Sequence, residues 1–318
     1  MRRSSPSQTC PRGQAIDRPA RARSPVLGDS LPRTLRAALV GLAVAACAPP
    51  APAPAGPAAR VLSQTVLSDE ILWDLGPAAQ ARVVGISVMA DDPRYTRIAG
   101  RWSPDIPRLA ATSEGLLARR PDLVIIAAFS AAELKALLAA QGVRVLEFAE
   151  FTGFADYRRH VREVAAAVDA TPAGEALLRA VDDRLAALAA HRPADPPTAV
   201  SWSDGFTAAA DTTFADIADA VGVVNLAARQ GLSGHVPVTI ERLVAWDPAY
   251  IVIACPAAAL ADPACPAAEA EFAARPGLAV TTAARTGRVI AVPARDLAST
   301  GEGMLLTAEA LQARVLAD

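Results

Sequence analysis

The sequence contains the same phrase twice. EGLLARRPDLVIIA begins at Glu114 and ERLVAWDPAYIVIA begins at Glu241, 127 residues later, and six of the fourteen positions are identical. Each copy reads as a short helix that starts at the glutamate, followed by a proline and a buried apolar strand. Proline is tolerated at the first residue of a strand because its missing N–H is not needed there. A repeat of this kind predicts two similar halves within one chain.

Strand-like and helix-like patterns alternate on both sides of the repeat. The strand patterns of the first half lie at 60–66, 82–87, 121–129 and 143–149. Helical patterns separate them, and the second half resumes the alternation at residue 199. Strands that alternate with helices favour a parallel sheet in an α/β layer fold. The sequence therefore predicts an α/β protein with mainly parallel sheets.

One segment between the halves departs from this alternation. Residues 155–192 read as almost forty helical residues, and Pro172 near their middle is compatible with a first helical position capped by Thr171. The stretch RPADPPT at 192–198 ends the pattern. We expect this long helical segment to connect the two halves.

The distribution of charge limits the class of partner. The first 47 residues contain eight arginines and two acids, whereas residues 48–318 contain 23 basic and 31 acidic side chains, a formal charge of −8. A net-acidic body argues against a nucleic-acid partner. Because only one basic residue of 31 is a lysine, the arginine content is compositional and indicates no site by itself.

The amino-terminal stretch RTLRAALVGLAVAAC is typical of an export signal. Two arginines precede an apolar run at 37–46 that is too short for a permanent bilayer-spanning helix. The letters VAAC resemble a lipobox, in which Cys47 is lipidated after cleavage; an ordinary cleavage site followed by a cysteine is the alternative. The Pro/Ala-rich residues 48–59 read as a tether. We interpret 1–46 as a leader and 47–59 as a lipid-anchored tether, and we expect the protein in the periplasm or cell envelope.

Two cysteines lie close together in the second half. Cys255 and Cys265 are separated by nine residues. Export places them in an oxidising compartment, where a disulfide is expected. A two-cysteine metal site is the alternative, but no histidine or further cysteine lies nearby in the sequence.

No pattern indicates an enzyme. The sequence has no GxSxG elbow, no P-loop and no GxGxxG after its first strand. Of its three histidines, His160 and His191 fall in the helical segment and leave His235 alone. A bare zinc or manganese site needs several converging ligands and is therefore disfavoured. We expect a protein that is not an enzyme and has no cofactor or metal of its own.

Several segments together resemble a known family. The chain is similar to the periplasmic binding proteins of ABC importers for cobalamin, ferric siderophores or heme in RVLSQTVLSDEILWDLG, ARVVGIS, PRLAATSEGLLARRPDLVI, TTFADIADAVGVVNLAA and the Glu241 segment. The resemblance covers about 60–318. It implies the class III fold, with two Rossmann-like lobes of mainly parallel sheets joined by one long connecting helix. The implied division is an amino-terminal lobe at 60–154, a connecting helix at 155–194 and a carboxy-terminal lobe at 195–318.

The resemblance also implies functional positions. In that family an acidic residue on each lobe docks onto arginines of the permease dimer, and Glu114 and Glu241 match those positions. The ligand lies in the cleft between the lobes, where loops that follow the strands contact it. The candidate ligand-binding residues are Gln64, Thr65, Ser87, Tyr95, Trp102, Trp202 and His235.

The polar stretch 88–113 bears on the choice of ligand, because loops of this length are usually functional. The rings of Tyr95 and Trp102 either stack on a planar ligand or pin the loop to its lobe. Three arginines of the stretch either attract an anionic ferric complex or face solvent: Arg94, Arg97 and Arg101.

We therefore expect a substrate-binding lipoprotein of an ABC importer. It would capture a ferric siderophore, heme or cobalamin, a ligand that contains iron or cobalt, and deliver it to a permease dimer with its ATPase. The alternatives are a zinc- or manganese-type binding protein and a tethered sensory or interaction module of the same fold. We expect no nucleic-acid partner and contact with the membrane only through the lipid anchor.

Overall fold

The computed structural model describes residues 56–110, 112–203, 205–256 and 259–317 of the 318-residue chain. The leader, Cys47 and residues 48–55 of the tether lie outside this part. Within the described ranges, no helix combines the length and the apolar character needed to cross a membrane.

The first sheet belongs to the first half of the chain. Its strands are β1 (Val61–Ser63), β2 (Val83–Ser87), β3 (Arg108–Leu109), β4 (Leu123–Ala127) and β5 (Arg144–Phe148). They are all parallel and lie in the order β3-β2-β1-β4-β5. In the register, Ser63 pairs with Ile125, and Ala127 pairs with Phe148. Strand β4 is buried along its whole length, as expected for a parallel strand covered on both faces.

The second sheet belongs to the second half. Its strands are β6 (Thr198–Ser201), β8 (Val224–Asn225), β10 (Tyr250–Cys255) and β11 (Val289–Pro293). They are parallel in the order β11-β10-β6-β8. A separate antiparallel pair joins β7 (Phe206–Ala208) to β9 (His235–Pro237). The prediction of an α/β protein with mainly parallel sheets is confirmed.

Helices cover both sheets and join them. Their ranges are α1 (Val66–Asp74), α2 (Pro77–Gln80), α3 (Ser113–Leu117), α4 (Ala132–Ala140), α5 (Phe154–Ala167), α6 (Thr171–Ala190), α7 (Thr213–Val221), α8 (Leu226–Arg229), α9 (Ile240–Trp246), α10 (Ala264–Ala273), α11 (Thr282–Arg285), α12 (Ala294–Leu297) and α13 (Glu302–Ala317). We call the first sheet with α1–α4 the amino-terminal lobe, and the second sheet with α7–α13 the carboxy-terminal lobe.

The two copies of the repeated phrase fold in the same way. Helix α3 precedes β4, helix α9 precedes β10, and a glutamate lies in the first turn of each helix. Arg120 and Asp247, six residues after that glutamate in each copy, adopt left-handed backbone conformations with φ of 47° and 43°. A proline follows each of them, and the residue before a proline avoids the helical region. The sequence repeat therefore reflects a repeated corner between a helix and a buried strand.

The connection between the lobes differs from the predicted single long helix. It consists of the antiparallel helices α5 and α6, which are joined by a turn at 168–170. Ion pairs join them at Arg158–Asp182 and at Arg162–Glu175. Asp169 in the turn has a φ of 56°, and Pro172 lies in the first turn of α6. The helical content was predicted correctly, but the left-handed residue and the proline divide it into two.

The largest apolar core extends through both lobes and the connection, and each lobe has a smaller cluster of its own. It includes Ile71 of α1, Tyr157 of α5, Leu178 of α6, Phe214 of α7 and Met304 of α13, none of which is more than 2% exposed. Full burial of a large apolar side chain contributes about 1.5–3 kcal/mol. A wide opening of the lobes would expose this shared core, so the packing favours a small relative motion.

The predicted disulfide is present. Cys255 at the end of β10 is bonded to Cys265 in the first turn of α10, with 5.1 Å between the Cα atoms. Both side chains are buried. The bond ties the end of a central strand to the helix that covers it.

Candidate functional site

A cleft lies where the carboxyl ends of the strands of both sheets meet. Its smaller cavity, about 170 Å³, lies between α1 and the loop at 88–97 on one side and residues 295–301 on the other. Its larger cavity, about 460 Å³, lies over the ends of β6 and β10 and beside the β7–β9 pair. Ala298 and Thr300 line both cavities. The two cavities therefore form one continuous cleft between the lobes.

Tyr95 lies at the wall of the smaller cavity. Its side chain is 50% exposed. The guanidinium carbon of Arg94 lies 5.4 Å from the centre of its ring. Arg94 is itself paired with Asp92, with 2.6 Å between Nη2 and Oδ2. The cleft thus presents a phenol whose hydroxyl-bearing ring is accessible to a ligand and lies beside a cation.

The larger cavity is mainly apolar. Phe206 is half exposed on β7, and Phe151, Phe214 and Leu297 complete much of the lining. His235, exposed on β9, is the imidazole of this wall. A cavity with a broad apolar lining and a few polar groups is the usual form of a small-molecule site. The structure therefore brings Tyr95 and His235, two of the predicted ligand residues, to adjoining cavities of one cleft.

Gln64 and Thr65 lie directly after β1, but neither lines the two cavities. The Gln64 amide donates to the carbonyl of Ser63 at 2.8 Å. The Thr65 hydroxyl accepts from the backbone N–H of Ser68, and the Ser68 hydroxyl accepts from the N–H of Thr65. This capping box begins α1. The side chains of these two predicted residues are occupied in local structure.

Three predicted ligand residues are core residues instead. The Ser87 hydroxyl is buried and donates to Asp69 at 2.6 Å. Trp102 is 3% exposed and its ring packs edge to face on Trp73 at 5.3 Å. Trp202 is buried against Phe272, and its indole N–H donates to a backbone carbonyl at 3.3 Å. Burial of these side chains within their own lobes gives no support to the prediction that they contact a ligand, which stays a prediction. Trp202 also lines a further cavity, which shares Ser203 and Ala254 with the larger one.

Arg97 differs from its two neighbours in the loop. Its side chain is 16% exposed, whereas Arg94 is 75% exposed, and Arg101 also faces solvent. Arg97 pairs with Asp74 and with Glu302, whose Oε2 lies 3.0 Å from Nη1. Arg97 therefore belongs to a partly buried ion-pair network and not to the solvated surface of the loop.

Two consecutive acids of α1 hold the loop that carries Tyr95. Asp69 accepts from Ser87, where the loop begins. Glu70 accepts from the Thr96 hydroxyl and from the backbone N–H of Arg97, both at 2.9 Å, where the loop ends. This role carried no signal in the sequence, because acids near the start of a helix usually lie at the surface and interact with the helix dipole.

Other residues of the cleft carried no sequence signal. They follow strand ends and are small or apolar, and those that line the smaller cavity include Met89, Ser299, Thr300 and Gly301. The one property that they share is that they follow β2 or β11 in the chain. This position fits a ligand site, because ligands bind outside the carboxyl ends of the strands in parallel sheets. No group of three or more His, Cys, Asp or Glu side chains is placed to hold a metal ion in the described part of the chain.

Burial perturbs two carboxyl groups beneath the cleft. It raises the pKa of Asp69 from 3.8 to about 7, although hydrogen bonds from Ser63 and Ser87 lower it in part. Burial also raises the pKa of Asp74 to about 6, against the opposing attraction of Arg97. At pH values between the ordinary pKa and the raised pKa, each carboxyl is therefore protonated in the folded protein and ionised in the unfolded chain.

We expect the protein to become less stable as the pH rises from about 4 to about 7. In this window the folded state binds more protons than the unfolded state, so the free energy of unfolding falls with rising pH, by at most about 1.4 kcal/mol per pH unit for each group. Asp69→Asn should flatten this slope. Thermal unfolding at a series of pH values measures it, and an equal slope in the variant would contradict the assignment.

The two predicted docking residues are both exposed. Glu114 lies in the first turn of α3 and Glu241 in the first turn of α9. Hydrogen bonds from the Glu241 backbone N–H and the Thr239 hydroxyl lower the pKa of the Glu241 carboxyl, and this carboxyl is therefore anionic at neutral pH. Each lobe thus presents one exposed glutamate at an equivalent place in the repeated corner.

Comparison with known sequences identifies one family. Residues 64–295, more than half of the chain, match the family model described as periplasmic binding protein. No curated protein sequence matches the chain.

Solved structures with the same fold include three periplasmic heme-binding proteins. BhuT in complex with two hemes is 28% identical and covers 82% of this chain and 98% of its own, with a TM-score of 0.64. RhuT from Roseiflexus sp. RS-1, in apo form, is 25% identical. The match covers 81% of this chain and 97% of RhuT, with a TM-score of 0.63. A periplasmic heme-binding protein from Pseudomonas aeruginosa is 25% identical. The match covers 81% of this chain and 92% of that protein, with a TM-score of 0.62.

Proposed function

Because the chain belongs to the periplasmic binding protein family, we propose that it captures heme in the interlobe cleft and delivers it to an ABC importer. Its fold is that of the class III members, and the family places it in the periplasm or cell envelope. The proposed division is the leader 1–46, the tether 47–59, lobes at 60–154 and 195–318, and the connection between them. Cys47 would carry the lipid anchor.

The observation that carries the choice of heme is the accessible phenol of Tyr95 in a cleft whose larger cavity is mainly apolar. Tyrosine oxygen and histidine nitrogen are both axial ligands of heme iron in proteins. Tyr95 and His235 line adjoining cavities, so each is a candidate to hold the iron. The apolar wall around Phe206 and Phe214 suits the face of a porphyrin, whereas a hydrophilic siderophore would gain little from it.

Charge in the smaller cavity supports the same choice. Arg94 and Arg295 line this cavity, together with the acid Glu70. Heme carries two carboxylates on one edge of an apolar ring, and guanidinium groups bind carboxylates with two parallel hydrogen bonds. A ligand with an apolar ring in the larger cavity and acidic groups near these arginines would therefore use the whole cleft. The similarity to three heme-binding proteins agrees with this assignment.

A titration of purified residues 48–318 tests the proposal. Ferric heme, cobalamin and a ferric catecholate siderophore are added in parallel, and binding is followed by tryptophan fluorescence and by ligand absorbance. We expect saturable binding of heme with a shift of its Soret band, and no saturable binding of the other two. Saturable binding of cobalamin or the siderophore alone would overturn the choice of heme. Binding of none of them would favour a tethered sensory or interaction module.

A further inference from the structure

The end of the Tyr95 loop is attached to both lobes. Thr96 and Arg97 follow Tyr95 directly, and both donate to Glu70 of α1 in the amino-terminal lobe. From the carboxy-terminal lobe, Arg295 Nη1 donates to the carbonyl of Thr96 at 3.4 Å. Arg97 in turn reaches Glu302 of that lobe at 3.0 Å. The loop that presents Tyr95 is therefore attached across the cleft one and two residues after the phenol.

Glu302 is well placed to transmit the position of the carboxy-terminal lobe. It is the first residue of α13, whose buried residues pack on the shared core together with α7 and β11. Its other carboxylate oxygen accepts from Arg184 of the connecting helix α6 at 2.8 Å. Glu302 is 25% exposed and Arg97 is 16% exposed. Partial burial reduces solvent screening, so this pair is more than a surface contact.

We propose that the Arg97–Glu302 ion pair is an interlobe clasp that positions Tyr95 for the bound ligand. This proposal rests on the proposed function, in which Tyr95 holds the iron of heme. Arg97 is a positioning residue, since it acts on the ligand through the loop and does not line either cavity. When the lobes separate, the clasp opens and the loop loses its attachment to the carboxy-terminal lobe, so ligand release and lobe movement are coupled.

The surroundings of Arg97 allow the clasp to be broken without unfolding the loop. Three carboxylates surround its guanidinium group: Glu70, Asp74 and Glu302. Removing the charge of Glu302 leaves Arg97 paired with two acids of its own lobe. The substitution Glu302→Gln therefore removes the interlobe ion pair. It leaves in place the Arg295–Thr96 hydrogen bond and the hydrogen bonds from Thr96 and Arg97 to Glu70.

Helix α13 supplies a matched control. Glu309 lies two turns after Glu302 and also pairs with Arg184, at 2.7 Å. Arg97 pairs with Glu302 but is not among the partners of Glu309 in the described residues. Glu309→Gln therefore removes one negative charge from the same helix, as Glu302→Gln does, and each substitution weakens one ion pair to Arg184. Only Glu309→Gln leaves the clasp intact.

The test compares the two variants in two measurements. Without ligand, amide hydrogen exchange of the peptides that cover 88–101 should be faster in Glu302→Gln than in Glu309→Gln. With heme bound, transfer to apomyoglobin should be about tenfold faster in Glu302→Gln, because a loop with one attachment fewer to the carboxy-terminal lobe positions Tyr95 less firmly. Its Soret spectrum should show a mixture of coordination states. Glu309→Gln should match the wild type in both measurements.

Further variants keep each outcome interpretable. Arg97→Lys retains one charge but lacks the planar fork that reaches several carboxylates at once, so it should change exchange and heme transfer in the same direction as Glu302→Gln. Equal exchange and equal transfer in Glu302→Gln and Glu309→Gln would overturn the clasp. If the spectrum of Tyr95→Phe with heme is identical to that of the wild type, the iron ligand is assigned wrongly. In that case the hydrogen-exchange comparison still decides whether the clasp exists.

Discussion

Reversing the charges of both Glu114 and Glu241 is expected to abolish heme uptake while heme affinity stays unchanged. Both side chains are exposed, so their replacement by arginine removes no core packing. In the proposed importer each glutamate meets an arginine of the permease. Two like-charge contacts cost several kcal/mol, which corresponds to an affinity loss of at least about 100-fold for the permease. The readouts are heme-dependent growth of iron-starved cells and heme titration of the purified variant.

The control must carry the same change in charge on the same two lobes. Glu133 is exposed in the first turn of α4, and Glu271 is 77% exposed on α10. The double variant Glu133→Arg/Glu271→Arg should transport heme normally. Equal loss of uptake in both double variants would show that net charge matters and the two repeated corners do not. Normal uptake by Glu114→Arg/Glu241→Arg would refute the docking assignment.

Tyr95→Phe is expected to weaken heme binding by at least about 100-fold, because losing a direct metal ligand should exceed the 10–100-fold losses seen for outer partners. The substitution removes one oxygen atom and keeps the ring, so the shape of the cavity is preserved. Phenolate coordination also gives ferric heme a distinct absorption spectrum, which this variant should lose. Heme titration followed in the Soret region measures both effects.

His235→Ala separates the two candidate iron ligands. If Tyr95 alone holds the iron, this variant should keep the wild-type spectrum and bind heme within a few-fold of the wild type. If the histidine is the ligand, His235→Ala should lose affinity and change the spectrum, whereas Tyr95→Phe should stay close to the wild type. Both side chains are exposed at the cleft, so neither change disturbs the core, and the comparison isolates coordination from stability.

The regular part of the fold was predictable because its signals are local and strong. The apolar strands β4 and β10, the prolines before them and the alternation with helices all follow from short-range chain chemistry. The repeated corner was also visible, because the glutamate that starts each helix and the proline that follows it keep the same spacing in both copies. The break at Asp169 between α5 and α6 was only partly visible. Pro172 indicated a first helical turn, but an aspartate adopts the left-handed conformation in only a minority of cases.

The cleft was predictable to a lesser extent, because a sequence shows which residues follow strands but not which way they face. Tyr95 and Trp102 are aromatic residues of one polar stretch, yet Tyr95 lines a cavity and Trp102 packs on Trp73 in the core. The direction of each ring depends on partners distant in the chain. Arg97 illustrates the same limit, since its decisive partner, Glu302, lies 205 residues away.

The core that runs through both lobes has a thermodynamic consequence. Apolar side chains from α1, the connecting pair and α13 lie in one cluster, which the two lobes share in addition to the smaller cluster that each has of its own. We therefore expect the unfolding of one lobe to destabilise the other through this shared cluster. A ligand that binds only the folded form shifts that whole equilibrium, by about 2.7 kcal/mol when its concentration is 100 times its dissociation constant. Binding of a ligand in the cleft is therefore expected to protect both lobes against heat and proteolysis.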